Sequence, residues 1–126
     1  MKLVLATQNP KKLKEMNEIL SHLGVEVVSE AELGMRIEVE ETGDTFTDNA
    51  RLKATAVMQA TGLPAVADDS GLCVDALNGG PGVYSARFGG EGLDDKGRYT
   101  LLLEMLRGQT DRAAHFHTSI VCAFPN

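Results

Sequence analysis

At 126 residues with 43% hydrophobic content and a formal charge of -6, the chain can bury roughly two-thirds of its unfolded surface in one core. That charge excludes broad nucleic-acid binding, which shows as a basic domain or stripe. No apolar run approaches the ~20 residues of a membrane span, and the opening MKLVLATQNPKK is too short in apolar residues for a signal peptide, so a cytoplasmic protein without membrane partners is expected. Cys73 and Cys122 lack paired spacing and suggest neither zinc nor a disulfide; both are expected to be buried, reduced thiols.

Lys2 to Ala6 reads as a buried strand, and Asn9-Pro10 opens a helix with proline at an early position, where its missing N–H costs nothing. Leu13, Met16, Leu20 and Leu23 give that helix one apolar face. Gly24 stops it, and Val25 to Val28 forms a second strand. An acidic loop from Glu38 to Asp44 leads to a helix from about Thr45 to Thr61, stopped by Gly62. Ala65 to Ala67 begins the next strand, and NGGPG at Asn78 to Gly82 is a turn. Tyr84, Ala86 and Phe88 then alternate with Ser85 and Arg87 as a half-buried strand would. A third helix near 94–107 is expected to bury Tyr99, Leu102, Leu103 and Leu106. HFHTSIVCAF ends the series as a strand with Phe116, Thr118, Ile120, Cys122 and Phe124 on one face. This order implies an α/β fold with a mixed sheet flanked by helices, in one domain over 1–126. The chain stops at Phe124-Pro125-Asn126, where a partner strand should return, so a C-terminal part is expected to be missing.

Three stretches carry chemistry. In LATQNPKK a strand runs into a helix start, which presents free N–H groups and the positive end of the helix dipole. Thr7 and Asn9 add donors there, and Lys11 and Lys12 place cations in the first turn, where the dipole disfavours them unless an anion is near. In FTDNARLKA, Phe46, Ala50 and Ala54 mark the buried face of a helix, so Asn49 and Lys53, also four apart, share a neighbouring face. In ADDSG, Asp68 and Asp69 follow an apolar run, and strand alternation sends one to a pocket and the other to hold the loop. A carboxylate at a strand end, with Glu40 or Glu41 of the acidic loop, suits a hard cation such as Mg²⁺, which takes one or two carboxylates plus phosphate oxygens. Lysines for phosphate, acids for a metal and a carboxylate to activate water form the set needed for metal-assisted phosphoanhydride hydrolysis. His115 and His117 lack a third ligand, and Arg87 faces either a cleft or a structural ion pair.

LATQNPKK, EETGDTFTDNARLKA and ADDSGLCVDALNGGPGVYSARF, taken in order, resemble the signatures of the inosine/xanthosine triphosphate pyrophosphatase family, also called Ham1-like. The resemblance implies an elongated, twisted, two-lobed α/β fold with a central cleft, a homodimer, Mg²⁺ dependence and hydrolysis of ITP, dITP or XTP to the monophosphate and pyrophosphate. It places Thr7, Gln8, Asn9, Pro10, Lys11 and Lys12 with Lys53 at the phosphates, Glu40 and Asp69 on the metal with Glu41 as the other choice, and Ser70 on substrate. Asp69 would be the general base and Asp68 a brace beside it, with Asn49 and Arg87 as supporting residues. Family members run on to F-G-Y-D-P and S-H-R elements tied to base recognition, and neither occurs here, so about a C-terminal third is expected to be absent. Two other readings stay open: a nucleotide-binding fragment without turnover, and a Maf-like pyrophosphatase of different base preference.

Overall fold

The computed structural model describes residues 1–126 apart from 8 and 91. In chain order the elements are β1 (Lys2–Leu5), α1 (Pro10–Leu20), β2 (Glu26–Ser29), α2 (Phe46–Thr61), β3 (Ala65–Val74), β4 (Gly80–Pro81), α3 (Asp95–Met105) and β5 (Ala114–Ala123). The five strands form one mixed sheet, in the order β2-β1-β3-β4 with β5 also pairing β3. The fold is therefore α/β, as the element order implies. The chain divides into two compact units, Met1–Asp69 with Ser119–Asn126, and Ser70–Thr118. No helix among the described residues is long and apolar enough to cross a membrane.

In the first unit, β1 lies between β2 and β3 and pairs parallel with both. A parallel strand covered on both faces reads as a continuous apolar run, which explains LVLA at its centre. Leu3 and Leu5 join Val27 and Val66 on one face, against Leu13, Met16 and Leu20 of α1. Val4 and Ala6 join Val28, Ala65 and Ala67 on the other, against Ala54 and Val57 of α2. Leu23 is 74% exposed and does not extend the α1 stripe. It falls in a 3-10 turn, Ser21–Leu23, where three residues per turn rotate the side chains off the helical face.

Helix α2 carries its stop and start signals in sequence. Thr45 is its N-cap, accepting from Asp48 N, and Gly62 closes it in the left-handed region, donating its N–H to Met58 O. Thr45→Ala is expected to cost about 1 kcal/mol of stability, seen as a lower melting temperature; an unchanged melt would mean the cap hydrogen bond contributes nothing net.

Strand β3 does not end near Ala67 but runs through Asp68, Asp69, Ser70 and Gly71 to Val74. The two carboxylates do not break it because each meets a lysine, Lys12 for Asp68 and Lys53 for Asp69.

In the second unit, the end of β3 pairs antiparallel with β4, Cys73 opposite Pro81 and Val74 opposite Gly80. The connecting turn uses Asn78 in the left-handed region, as NGGPG predicts. The expected strand through Tyr84, Ala86 and Phe88 is absent; Gly82–Arg87 is a 3-10 helix instead. Ser85 Oγ donates to Gly82 O at 2.6 Å and accepts from Leu72 N, distant in sequence, at 3.0 Å, and such side-chain bonds to backbone compete successfully with a strand pattern. Helix α3, capped by Asp94, leaves Tyr99 and Leu103 exposed, contrary to expectation, while Leu106 just beyond it is buried. Its apolar residues lie on more than one side, so only part of them can face inward.

Strand β5 passes through both units. Its Val121 and Ala123 pack on the first-unit core, and the alternate face, with Phe116, Ile120 and Phe124, points outward. Cys73 is buried as expected, whereas Cys122 is exposed on that outward face.

Candidate active site

Several of the charged residues singled out in sequence converge within the first unit, where three elements and the acidic loop meet. Helix α1 carries Lys12 in its first turn, α2 carries Asn49 and Lys53 one helical turn apart, and β3 carries Asp68 and Asp69. Lys12 Nζ lies 2.8 Å from Asp68 Oδ2. Lys53 Nζ donates to the Asp68 carbonyl oxygen at 2.6 Å and stands 3.3 Å from Glu41 Oε1 and 3.9 Å from Asp69 Oδ1. Asn49, fully buried, donates from Nδ2 to Asp69 Oδ2 at 3.4 Å. The alternation argument holds in this sense: Asp68 and Asp69 have different side-chain partners, and Lys53 reaches both residues by using a carbonyl on one and a carboxylate on the other.

Asp69 is the most enclosed of these acids, its side chain 11% exposed against 19% for Asp68 and 34% for Glu41. Burial pushes its carboxyl above the ordinary aspartate range, the Lys53 ammonium pulls it back, and the neighbouring Glu41 and Asp68 charges push it up again. A carboxylate poised upward in this way is the kind that takes up a proton during catalysis.

Lys12 and Lys53 face Glu41, Asp68 and Asp69, so two ammonium groups stand against three carboxylates and one negative charge is in excess. A divalent cation would turn that excess to a net positive charge, which favours a polyphosphate. Among the described residues no group of three or more His, Cys, Asp or Glu side chains forms a closed metal cage. The donor set still fits Mg²⁺, which binds through one or two carboxylates and completes its shell with water and substrate phosphate.

The remaining predicted residues separate. Thr7 Oγ1 accepts from Asn9 N at 3.1 Å, and Asn9 Oδ1 accepts from Lys11 N at 3.0 Å, so both side chains organise the loop that opens α1 at Pro10. Lys11 is exposed, and Gln8 lies outside the described residues. Of the two loop glutamates, the structure brings Glu41 beside Lys53 and leaves Glu40 exposed, with its carbonyl accepting from Thr42 N. Ser70 opens the second unit and is exposed. Arg87, in that same unit, lies over the Tyr84 ring at 5.5 Å, and among the described residues it has no ion pair with a carboxylate. Sequence reasoning missed Gly43, whose N–H donates to Asn49 Oδ1 at 2.8 Å; its one sequence signal is a glycine inside the ETGD stretch.

Comparison with known proteins places the chain in a family. The profile of the Ham1 family matches residues 3–126. A dITP/XTP pyrophosphatase of Rhodopseudomonas palustris is 50% identical, covering 99% of this chain and 61% of that protein. One from Desulforamulus reducens is 54% identical, covering 100% of this chain and 64% of that protein. Among solved structures, a HAM1 protein from Coxiella burnetii superposes with a TM-score of 0.94 at 42% identity, over 99% of this chain and 64% of its own. The chain thus spans about three-fifths of the length of the curated relatives it matches. With a family profile matched from the third residue to the last, and the lysine and carboxylate cluster built from that same stretch, the chain belongs to the Ham1 family.

Proposed function

We propose that this chain carries the phosphate-handling and metal-handling groups of a pyrophosphatase for non-canonical purine nucleoside triphosphates, ITP, dITP and XTP, yielding the monophosphate and pyrophosphate. The observation that carries the reading is Asp69, enclosed, pushed upward in pKa by burial and sharing the Lys53 ammonium with Glu41, in a chain whose relatives are named dITP/XTP pyrophosphatases.

In this reading Asp69 with Glu41 holds the cation, and Glu40, next along the loop, is the comparison to test. Mg²⁺, when bound, neutralises phosphate charge and makes a coordinated water more acidic. Asp69 takes the proton of the water that attacks the α-phosphorus; the bond from that phosphorus to the α–β bridging oxygen breaks, and the oxygen leaves with pyrophosphate. Lys12 and Lys53 meet the charge that develops on the leaving group. For Lys12 this means exchanging Asp68 for phosphate, an exchange the free N–H groups at the start of α1 assist by attracting the anion. Thr7, Gln8, Asn9, Pro10 and Lys11 complete the phosphate loop, and Ser70, next to Asp69 in sequence, is a substrate contact. The enzyme works as a cytoplasmic homodimer; sedimentation at the monomer mass would remove the dimer from the reading.

The deciding experiment is pyrophosphate release from ITP, dITP, XTP, GTP, dTTP and UTP, with and without Mg²⁺, on this chain and on a form extended to the length of its relatives. Release from ITP, dITP and XTP ahead of GTP, only with Mg²⁺, is expected. Preference for dTTP or UTP would instead favour a Maf-like activity. Binding of ITP without release in either form would make the protein a nucleotide-binding module.

A further inference from the structure

We propose that Asn49 is a positioning residue that sets the acidic loop against Asp69, so that Glu41 and Asp69 meet one cation. The inference rests on the functional reading above and specifies how its two carboxylates are held in register. Asn49 lies on α2 with no exposed surface, and its carboxamide is used at both ends. Oδ1 accepts from the Gly43 N–H at 2.8 Å, and Nδ2 donates to Asp69 Oδ2 at 3.4 Å. One buried group therefore joins the backbone of the loop to the carboxylate on β3. Two residues before Gly43, Glu41 reaches Lys53 at 3.3 Å, and Lys53 in turn stands 3.9 Å from Asp69.

A second observation supports the join from the loop side. A Cβ placed on Gly43 would lie 2.7 Å from Asp48 Cβ and 2.8 Å from Asn49 Oδ1, closer than such atoms pack. The loop backbone rests directly on the carboxamide, and any side chain at residue 43 would push it away. Packing alone does not call for asparagine here: an apolar residue would fill an inward α2 position without needing partners, whereas a buried amide is costly unless hydrogen-bonded. The neighbours of Asn49 on the inward side of α2, Ala50, Ala54 and Val57, are all apolar.

The test is Mn²⁺ affinity, measured by electron paramagnetic resonance on the protein without nucleotide, alongside thermal melts. Residues that orient metal ligands change affinity by about 10–100-fold when mutated. Asn49→Leu and Gly43→Ala are each expected to weaken Mn²⁺ binding by that order. Because both break the Gly43–Asn49 bond and Asn49→Leu alone also removes the bond to Asp69, the double variant should bind no more weakly than Asn49→Leu. Val57→Ala, a buried substitution on the same helix, serves as the stability control and should lower the melting temperature while leaving Mn²⁺ affinity unchanged. If Asn49→Leu does not fold, Gly43→Ala carries the test. Folded variants that bind Mn²⁺ like the parent would overturn the role of Asn49 and leave the functional reading intact. An equal loss in Val57→Ala would reduce the effect to general destabilisation and overturn it too. A parent chain that binds no Mn²⁺ would overturn the functional reading and the inference with it.

Discussion

Asp69→Asn is expected to lower kcat for pyrophosphate release by roughly 10²–10⁴-fold, the usual contribution of a general base, without lowering the melting temperature. The two halves of this result have one cause. Burial, together with the Glu41 and Asp68 charges, raises the Asp69 pKa more than Lys53 and Asn49 lower it, so the ionised form is disfavoured in the folded chain relative to the unfolded one. A group with a raised folded pKa binds its proton more tightly when folded, and stability falls as pH rises through that folded value. Asparagine imitates the protonated shape and carries no charge, so the variant escapes this loss. Its melting temperature at neutral pH should equal or exceed the parent's, and the gap should close as pH falls from the raised folded value toward the ordinary aspartate range. Near-normal turnover would remove Asp69 as the base. A melt several degrees lower would show instead that its contacts with Lys53 and Asn49 outweigh desolvation.

Lys53→Met should weaken binding of a non-hydrolysable triphosphate by roughly 10–100-fold, the range for losing hydrogen bonds to a charged group, with a smaller effect on the monophosphate. The ammonium stands among three acceptors, the Asp68 carbonyl, Glu41 and Asp69, so its loss leaves the carboxylates facing one another with only Lys12 against them. Their repulsion acts on any phosphate that enters, and most on the oxygens that carry the highest charge. Calorimetric titration with both nucleotides reads the difference; equal losses would place Lys53 away from the β- and γ-phosphates.

Much of the α/β frame was legible because its signals are local. LVLA announces a strand covered on both faces, Asn9-Pro10 and Thr45 announce helix starts, and Gly62 announces a stop. Two errors share a cause: β3 was expected to end at its aspartates, and Gly82–Arg87 to be a strand. In each case a partner distant in sequence decided the outcome, the lysines for Asp68 and Asp69, and the Leu72 N–H for Ser85. Alternation within a segment carries no information about such partners. For the site, lysines and acids of the right types could be picked out, but the join between Gly43 and Asn49 could not, since a backbone N–H leaves no trace in composition. Nor could sequence say which of the two loop glutamates stands beside Lys53.

The four-residue interval between Asn49 and Lys53 has a consequence for how this stretch can vary. Helical geometry separates the two by about 6 Å along the axis and brings them to nearly the same azimuth. Any exchange of the exposed Arg51 or Leu52 that preserves the helix keeps that alignment. A single inserted residue, however innocuous its side chain, turns one of the pair by about 100° relative to the other. Lys53 would then swing off β3 while Asn49 stayed at the loop. In this block, the exposed letters between the fixed positions are free to drift, but the number of letters is not.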